Sequence, residues 1–419
     1  MKKLKVKGKK ILSGSISISG SKNASLPLLA AAILSNKKII LKNIPLVKDI
    51  FTMVELLSYI GLKIDLNKKK KTITIFDYKK KINTVAPYKL VKTMRAGILV
   101  LGALLGKYKK AKVSLPGGCA IGGRPVDLHL FALKKLGATI KIKNGYILAS
   151  AEKGLRGNVI KFPSISVGAT ENAIIASVLA QGKTTLKNCA IEPEIQDLIL
   201  FLKKLGCNIS SDRKRNIFIK GVKSFVSVNH KVMFDRIELG TYLIAAALAG
   251  KKVSFLNINP KVISSEIKVL KKMGVRMEIS NSKIIVFKSL KLKRINIKTE
   301  PYPGFPTDLQ AQIMILMTQA NGKSKIKESI FENRFMHVPE LKRMGAKIEI
   351  NDNIAKISGP TKLSGAEVMA TDLRASVCLV LAGLIAQRET IVNRIYHLDR
   401  GYENLEIKLK KCKAIIRRI

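Results

Sequence analysis

The chain has 419 residues, of which 47% are hydrophobic and 5% aromatic, with no Trp. It is too long for one small core, so two or three domains with aliphatic cores are predicted, as in a regular α/β protein. The net charge is +49, but 61 of the 77 basic residues are Lys placed singly or in short runs, which favours a solvated surface over a nucleic-acid-binding stripe.

The N-terminal residues carry no targeting or membrane signal. Residues 1–14 are basic without a long apolar stretch, and the longest apolar runs, 26–34 and 96–106, are too short to span a bilayer. Five cysteines without paired spacing predict neither a disulfide framework nor a zinc site. We therefore expect a cytoplasmic protein without a metal.

Residues 20–24 (Gly-Ser-Lys-Asn-Ala) follow an alternating strand and open an apolar helix. Backbone N–H groups and Lys22 at such a turn can receive an anion. A capped helix start with a solvent-facing lysine has the same pattern, so the motif alone leaves both interpretations open.

A phrase of apolar-Lys-Lys-apolar-Gly followed by alternating residues recurs through the chain. The glycine is predicted to end a helix in the left-handed conformation, and the alternation predicts a half-exposed strand. Lys413 takes the sixth place and is expected to strain or fray the last repeat. The glycines are Gly61, Gly137, Gly206, Gly274 and Gly345, spaced by 76, 69, 68 and 71 residues.

Six such repeats account for the chain, and each is long enough for a small βαβαββ-type fold. Apolar helices that pass into alternating strands occur, for example, in residues 175–186, 243–256 and 379–392. We predict two similar α/β domains of three repeats each, with helices inside and strands outside, that meet near residues 228–234.

Residues 114–125 (Ser-Leu-Pro-Gly-Gly-Cys-Ala-Ile-Gly-Gly-Arg-Pro) are the most informative segment. Four glycines and two prolines exclude a helix or a central strand, so a loop is predicted. Such a loop can close over a ligand, and exposure near Arg124 favours a functional thiol at Cys119. The other cysteines lie in apolar or strand-like sequence and are predicted to be structural: Cys189, Cys207, Cys378 and Cys412.

Residues 165–170 (Ile-Ser-Val-Gly-Ala-Thr) form a second strand-to-helix turn, suited to a diphosphate. A simple N-cap at Ser166 or Thr170 has the same pattern. Asp308 and Asp372 also stand at helix starts, where an Asp is usually a cap but can be a base near a substrate hydroxyl.

Arginine is retained at several turns of a chain that otherwise uses lysine. The guanidinium fork binds carboxylate or phosphate through two hydrogen bonds, so these positions suggest anion recognition. Ordinary surface arginine is the alternative. The positions are Arg95, Arg124, Arg334, Arg374 and Arg400.

Together these segments closely resemble the UDP-N-acetylglucosamine enolpyruvyl transferase family over essentially the whole chain. The matching phrases are residues 20–24, 90–96, 115–129, 305–308, 331–337, 370–376 and 394–402.

The resemblance implies an α/β fold, a two-domain inside-out α/β barrel of six βαβαββ repeats, with three repeats per domain. It places the first domain at residues 22–232 and the second at residues 1–21 and 233–419, with the active site in the cleft between them. An N-terminal strand over residues 4–19 is expected to complete the second domain.

The resemblance also implies an activity. A transferase of this family moves the enolpyruvyl group of phosphoenolpyruvate to the 3-hydroxyl of UDP-N-acetylglucosamine and releases phosphate, in the first committed step of peptidoglycan synthesis. The implied partners are these two small molecules, with no cofactor, no specific nucleic acid and no membrane.

Two alternatives remain open. The sister enzyme acts on shikimate 3-phosphate with the same fold, and Cys119 and the diphosphate turn argue against it. A non-catalytic, basic nucleic-acid-binding repeat protein would need aromatic side chains among its basic residues, and the aromatics are too few.

The resemblance assigns individual roles as well. The implied catalytic residues are Cys119 as acid, Asp308 as base near the 3-hydroxyl, and Lys22 and Arg400. The phosphoenolpyruvate pocket is implied to contain Lys22, Arg124, Arg334, Arg374 and Arg400, and the sugar side Asn23, Asp308 and Ile330, with Asp372 among the substrate contacts.

The uridine and diphosphate are implied to lie against Arg95, Arg124, Pro125, Val126, Asp127, Leu128, Ser164, Ile165, Ser166, Val167 and Gly168. Ser164 departs from the family, which usually carries Lys there. We therefore expect weaker nucleotide binding unless Lys161 reaches the diphosphate.

Overall fold

The computed structural model describes residues 2–78, 82–117 and 126–419. These residues form two compact units, one of residues 20–117 and 126–233 and the other of residues 2–19 and 234–419. Each unit has its own aliphatic core.

The strands follow one another along the chain in short segments. They are β1 Leu4–Lys7, β2 Leu12–Ser15, β3 Ile39–Lys42, β4 Leu62–Asn67, β5 Thr72–Tyr78, β6 Val85–Ala86, β7 Lys110–Ser114, β8 Thr139–Lys143, β9 Tyr146–Ser150, β10 Val159–Lys161, β11 Lys183–Lys187, β12 Asn208–Ser211, β13 Ile217–Lys220, β14 Val228–Lys231, β15 Gly250–Leu256, β16 Met277–Ser280, β17 Lys283–Phe287, β18 Leu292–Lys293, β19 Asn296–Lys298, β20 Ala320–Lys327, β21 Lys347–Asn351, β22 Ile354–Gly359, β23 Glu367–Met369, β24 Glu389–Asn393 and β25 Ile415–Arg418.

The helices alternate with the strands. They are α1 Lys22–Ala31, α2 Lys48–Ile60, α3 Tyr88–Val91, α4 Val100–Tyr108, α5 Asp127–Lys135, α6 Val167–Ser177, α7 Pro193–Lys204, α8 Arg236–Ala249, α9 Ser264–Lys272, α10 Gln310–Thr318, α11 Val338–Arg343, α12 Leu373–Ile385 and α13 Leu405–Lys411. Short 3₁₀ turns cover Ala32–Leu34, Arg95–Leu99, Pro260–Ile263, Thr307–Leu309 and Leu398–Arg400.

The described strands form six sheets, three in each unit. The orders in the first unit are β14-β3-β5-β4, β6-β7-β9-β8 and β10-β11-β13-β12, and in the second β16-β17-β15-β2, β18-β20-β22-β21 (with β19 also on β20) and β23-β24-β1-β25. In the third sheet, for example, β10 and β11 are parallel, whereas β13 is antiparallel to both β11 and β12. The chain order β10-α6-β11-α7-β12-β13 is therefore one βαβαββ repeat, and the predicted six-repeat fold is confirmed.

One helix of each repeat is buried on all sides. Helices α1, α4 and α6 pack together in the first unit, and α8, α10 and α12 in the second. Every residue of α10 is buried, whereas β1 and β24 alternate between buried and more exposed residues. A helix that is apolar all round belongs in a core, so the sheets lie outside the helices, as predicted.

The second helix of each repeat ends as the recurring phrase predicts. The five phrase glycines take positive φ angles between 84° and 127°. Lys413 takes the same conformation at φ 70°, which costs a non-glycine residue about 1–2 kcal/mol. Strand β25 nevertheless pairs with β1 along its whole length. Of the two outcomes expected at Lys413, strain or fraying, the structure shows the strain, with the strand intact.

The N-terminal segment consists of two strands, not the single strand expected over residues 4–19. Strand β1 pairs with β24 and β25, whereas β2 pairs with β15. The chain bends between them at Lys9, whose φ is 58°, and a Cβ atom on the preceding Gly8 would stand 2.0 Å from the carbonyl oxygen of Ala386. Only glycine can approach the neighbouring backbone this closely.

No helix within the described ranges is long and apolar enough to cross a membrane. In the same ranges, no group of three or more His, Cys, Asp or Glu residues is arranged to hold a metal ion.

Candidate active site

Asp308 lies in a cluster of charged side chains in the second unit. It belongs to the 3₁₀ turn Thr307–Leu309, directly before helix α10. Its Oδ1 and Oδ2 atoms each lie 2.7 Å from a guanidinium nitrogen, of Arg334 and Arg374 respectively. The carboxylate is 29% exposed, whereas the arginine side chains are 4% and 9% exposed. Two buried arginines thus orient a carboxylate that remains open to solvent.

Asp372 has a different role although its local sequence is similar. It is the N-cap residue of helix α12, and its Oδ1 accepts the backbone N–H groups of Arg374 at 2.7 Å and Ala375 at 3.2 Å. The cap orients the first turn of α12, from which Arg374 reaches Asp308. The cap interpretation is therefore right for Asp372, and its substrate contact stays a prediction.

Glu328 joins the turn of Asp308 to the loop of Arg334. This buried carboxylate accepts hydrogen bonds from the Thr307 hydroxyl at 2.9 Å and from the backbone N–H of Ile330 at 2.8 Å. Its remaining donors are the Phe331 N–H and the Thr299 hydroxyl. Sequence reasoning missed Glu328, whose only signal is an acidic residue at the end of an alternating strand.

Arg374 is also held on the side away from Asp308. One guanidinium nitrogen donates to the Tyr402 hydroxyl at 3.1 Å. Burial acts to lower the pKa of Arg374, but the Asp308 carboxylate outweighs it, so the pKa lies above its ordinary value. The guanidinium is therefore a permanent positive charge. Tyr402 was also missed, although it ends one of the matching phrases.

Arg400 ends the 3₁₀ turn Leu398–Arg400 and is partly buried. Burial lowers the pKa of the neighbouring His397, and the charge of Arg400 lowers it further. The Arg400 guanidinium is a group that can bind an anion.

Lys22 is the first residue of helix α1 in the first unit. Ser21 caps the helix by accepting the Ala24 N–H, as the sequence suggested. The Lys22 side chain does not face solvent, however, because it is 12% exposed and its Nζ lies 3.1 Å from Oδ2 of buried Asp49. Of the two interpretations left open, the solvent-facing lysine is therefore wrong, and Asp49 is a partner that sequence reasoning did not find. Asn23, next in the chain, is partly buried.

Two predicted nucleotide-binding segments converge on His129. Helix α5 begins at Asp127, with Val126 at its N-cap position, and α6 begins at Val167 after the N-cap Ser166. His129 Nδ1 lies 3.1 Å from the amide nitrogen of Asn172 on α6. The His129 ring also lies about 3.1 Å from where a Cβ on Gly168 would stand. The starts of α5 and α6 are thereby brought together.

Arg95, another residue of the predicted nucleotide site, lies near enough to His129 to affect its pKa. Burial lowers the pKa of His129 to about 3, and the charge of Arg95 contributes in the same direction. Arg95 begins the 3₁₀ turn Arg95–Leu99. Ser164 and Ile165 precede the α6 turn, and Ser164 is exposed. The described part of the predicted nucleotide site is thus a pair of adjacent helix starts beside an arginine, a setting that favours an anion.

His129 should make the stability of the protein depend on pH. Its folded-state pKa of about 3 lies below the ordinary 6.5. The unfolded chain therefore binds more protons below pH 6.5, and stability falls as the pH decreases by about 1.4 kcal/mol per unit. In urea unfolding at pH 7.5 and 5.0, His129→Gln should lose less stability on acidification than the unsubstituted protein. Equal losses in both proteins would contradict this prediction.

Cys119, Arg124 and Pro125 lie outside the described residues, and their roles stay predictions. The other four cysteines are free and buried, as predicted. Burial raises the pKa of each of their thiols, to about 12 for Cys189 and Cys207. They are therefore poor nucleophiles at neutral pH.

Known proteins match the chain over its full length. Residues 6–409 match the family model of EPSP synthase (3-phosphoshikimate 1-carboxyvinyltransferase). A protein of Pelagibacter ubique named UDP-N-acetylglucosamine 1-carboxyvinyltransferase is 61% identical, with 100% of both chains covered. A protein of the same name from Glaesserella parasuis is 47% identical, covering 100% of this chain and 98% of the relative.

A solved structure has the same fold. The enolpyruvyl transferase NikO from Streptomyces tendae superposes with a TM-score of 0.89 at 24% identity, covering 100% of this chain and 98% of that one. The matching family model, the full-length relatives and the six-repeat architecture lead to one conclusion. The chain belongs to the EPSP synthase family of enolpyruvyl transferases.

Proposed function

We propose that this protein transfers the enolpyruvyl group of phosphoenolpyruvate to the 3-hydroxyl of UDP-N-acetylglucosamine, with release of inorganic phosphate. The 61% identity over the whole chain to a relative of that name carries the proposal. The reaction is the first committed step of peptidoglycan synthesis. We infer a cytoplasmic location, in keeping with the four free cysteines among the described residues.

Phosphoenolpyruvate brings a carboxylate and a phosphate, and both must be neutralised before an uncharged hydroxyl can add to its C2 atom. In our proposal Lys22, Arg124 and Arg400 hold the phosphate, while Arg334 and Arg374 line the same anionic pocket. Buried guanidinium groups suit this work, because they are pre-oriented and stay charged. The pairing of Arg334 and Arg374 with a carboxylate, at 2.7 Å, supports this assignment.

The addition then needs one acid and one base. Cys119 donates its thiol proton to C3, which leaves cationic character at C2. Asp308 accepts the proton of the 3-hydroxyl as the hydroxyl oxygen bonds to C2, giving a tetrahedral adduct. Loss of a proton from C3 and of phosphate from C2 restores the double bond in the vinyl ether product.

A carboxylate oxygen that is paired with an arginine is a weaker base than one that is not. Both oxygens of Asp308 lie 2.7 Å from an arginine. An incoming substrate anion competes for the same guanidinium groups, so binding of phosphoenolpyruvate releases an Asp308 oxygen. The base is thus freed when the substrate arrives.

The proposed function predicts which acceptor supports turnover. Purified protein is expected to release phosphate from phosphoenolpyruvate with UDP-N-acetylglucosamine and not with shikimate 3-phosphate. A colorimetric phosphate assay with each acceptor, and with neither, measures this. Release with shikimate 3-phosphate alone would transfer the assignment to the sister activity.

Ser164 should weaken the contact with the diphosphate. It is exposed beside the start of α6, where a lysine would place a positive charge. Ser164→Lys is expected to lower the KM for UDP-N-acetylglucosamine about two- to fivefold, as one exposed ion pair contributes up to about 1 kcal/mol. Ser280→Lys, which adds the same charge at an exposed position of the other unit, is the control. Equal KM values in both variants would contradict the prediction.

A further inference from the structure

We propose that Tyr402 is a positioning residue for Arg374, and that Thr241 and Gln312 hold Tyr402 in turn. Tyr402 would keep the guanidinium oriented toward the substrate anion after the ion pair between Arg374 and Asp308 has broken. This role rests on the proposed function, in which Arg374 receives phosphoenolpyruvate.

Tyr402 lies in the second unit and is 2% exposed. Its hydroxyl oxygen lies 2.8 Å from the Thr241 Oγ1, 3.1 Å from a guanidinium nitrogen of Arg374 and 3.3 Å from the Gln312 Nε2. A buried hydroxyl with three polar neighbours is fixed in position, because moving it would leave several groups unpaired.

The donors and acceptors of this cluster can be assigned by starting from the Thr241 hydroxyl. Thr241 donates its hydroxyl proton to the carbonyl oxygen of Ile237 at 2.8 Å, so its Oγ1 accepts the proton of Tyr402. The Tyr402 oxygen is then left to accept from Arg374, and one N–H of Gln312 is shared between the Tyr402 oxygen at 3.3 Å and the Thr241 Oγ1 at 3.2 Å. Burial raises the pKa of Tyr402, so its proton stays available for Thr241.

Arg374 is consequently held at two points. One terminal nitrogen donates to Asp308 at 2.7 Å and the other to Tyr402 at 3.1 Å. When a substrate anion replaces Asp308, the bond to Tyr402 remains and keeps the guanidinium plane in place. Gln312 connects the two sides, since its Nε2 also donates to the backbone oxygen of Asp308 at 2.9 Å.

The segment before Tyr402 also packs against the start of α12. A Cβ atom on the preceding Gly401 would stand 2.7 Å from the Leu373 side chain, next to Arg374. A residue with a Cβ at position 401 would therefore require the Leu373 side chain to move.

Tyr402→Phe tests the role, because it removes one oxygen and keeps the ring. The KM for phosphoenolpyruvate is expected to rise about tenfold or more, since an N–H of a buried cation loses its acceptor. The KM for UDP-N-acetylglucosamine should change less than about twofold, because Arg374 is assigned to the other substrate. Thr241→Val should raise the KM for phosphoenolpyruvate by a smaller factor. Thr241→Ser, which keeps the hydroxyl, should leave this KM near that of the unsubstituted protein.

Tyr242→Phe is the matched control. Tyr242 is a fully buried tyrosine of the same unit, and its hydroxyl has no hydrogen-bond partner among the described residues. This variant should leave both KM values unchanged. If Tyr402→Phe lowers the melting temperature but shifts the two KM values no more than Tyr242→Phe does, Tyr402 is structural and the proposal fails.

A double-mutant cycle separates positioning from an independent effect. In an Arg374→Lys background, Tyr402→Phe should raise the KM for phosphoenolpyruvate by a much smaller factor than in the unsubstituted protein, since the residue it positions is gone. Equal factors in both backgrounds would overturn the role.

The proposed function and the role of Tyr402 can fail separately. The melting temperature is also recorded with and without phosphoenolpyruvate, which needs no turnover. If the unsubstituted protein releases no phosphate with UDP-N-acetylglucosamine, the proposed function fails, whereas a ligand-induced rise that Tyr402→Phe diminishes and Tyr242→Phe keeps still supports the positioning role. An undiminished rise in Tyr402→Phe would overturn it.

Discussion

Asp308→Asn is expected to lower kcat about a hundredfold or more, which is the usual contribution of a positioned general base. The substitution keeps the volume of the side chain but removes its ability to accept the proton of the 3-hydroxyl. It should also tighten the binding of phosphoenolpyruvate, because a neutral amide no longer competes for Arg334 and Arg374. Steady-state kinetics should therefore show a large fall in kcat together with a lower KM for phosphoenolpyruvate.

The same kinetics on Glu406→Gln provide the control. Glu406 pairs with Arg418 in the same unit, 2.7 Å apart, so its substitution also breaks an ion pair. It should leave kcat and both KM values near those of the unsubstituted protein. A fall in kcat of less than about tenfold, or 1.4 kcal/mol, for Asp308→Asn would mean that Asp308 is not the base.

Cys119→Ala is expected to lose most turnover, because no proton donor would remain at that position. Cys119→Asp should keep substantial activity, since another acid of similar reach can protonate C3. Aspartate lacks the soft nucleophile, so a thiol-directed epoxide that mimics phosphoenolpyruvate should inactivate the unsubstituted enzyme but not this variant. Residual activity after incubation with the epoxide measures the difference.

Cys189→Ala serves as the comparison for Cys119. It removes a buried thiol whose pKa is raised to about 12, so turnover and inactivation by the epoxide should both persist. If Cys119→Ala is fully active while Cys119→Asp unfolds, Cys119 is a packing residue, since a buried charge is costly. The proposed acid chemistry would then be wrong.

The six-repeat fold could be predicted because its signals are local. A helix that ends with a positive φ needs a glycine at one position, such as Gly61 or Gly206. The alternating residues of the next strand follow directly in the sequence. The buried structural cysteines were equally predictable from their apolar neighbours. The division of the N-terminal segment into two strands was not, because β1 pairs with β24 and β25 whereas β2 pairs with β15, all far along the chain.

The contacts of the candidate site depend on residues that are distant in sequence. Arg334 is 26 positions and Arg374 is 66 positions from Asp308, and Tyr402 is 161 positions from Thr241. Residue types suggested anion binding at several of these places. The packing of α8, α10 and α12 brings Thr241, Asp308 and Arg374 together, and the segments before α11 and α13 add Arg334 and Tyr402. No local pattern contains these contacts.

The two Thr-Asp-Leu sequences make this division plain. The sequence by itself determined that Asp308 and Asp372 both stand at helix starts, where a cap and a base look alike. Only the tertiary structure decided that Asp372 caps α12, while Asp308 faces two buried arginines. The physical reason is that a cap bonds to its own helix, whereas an ion pair forms wherever the fold brings opposite charges together.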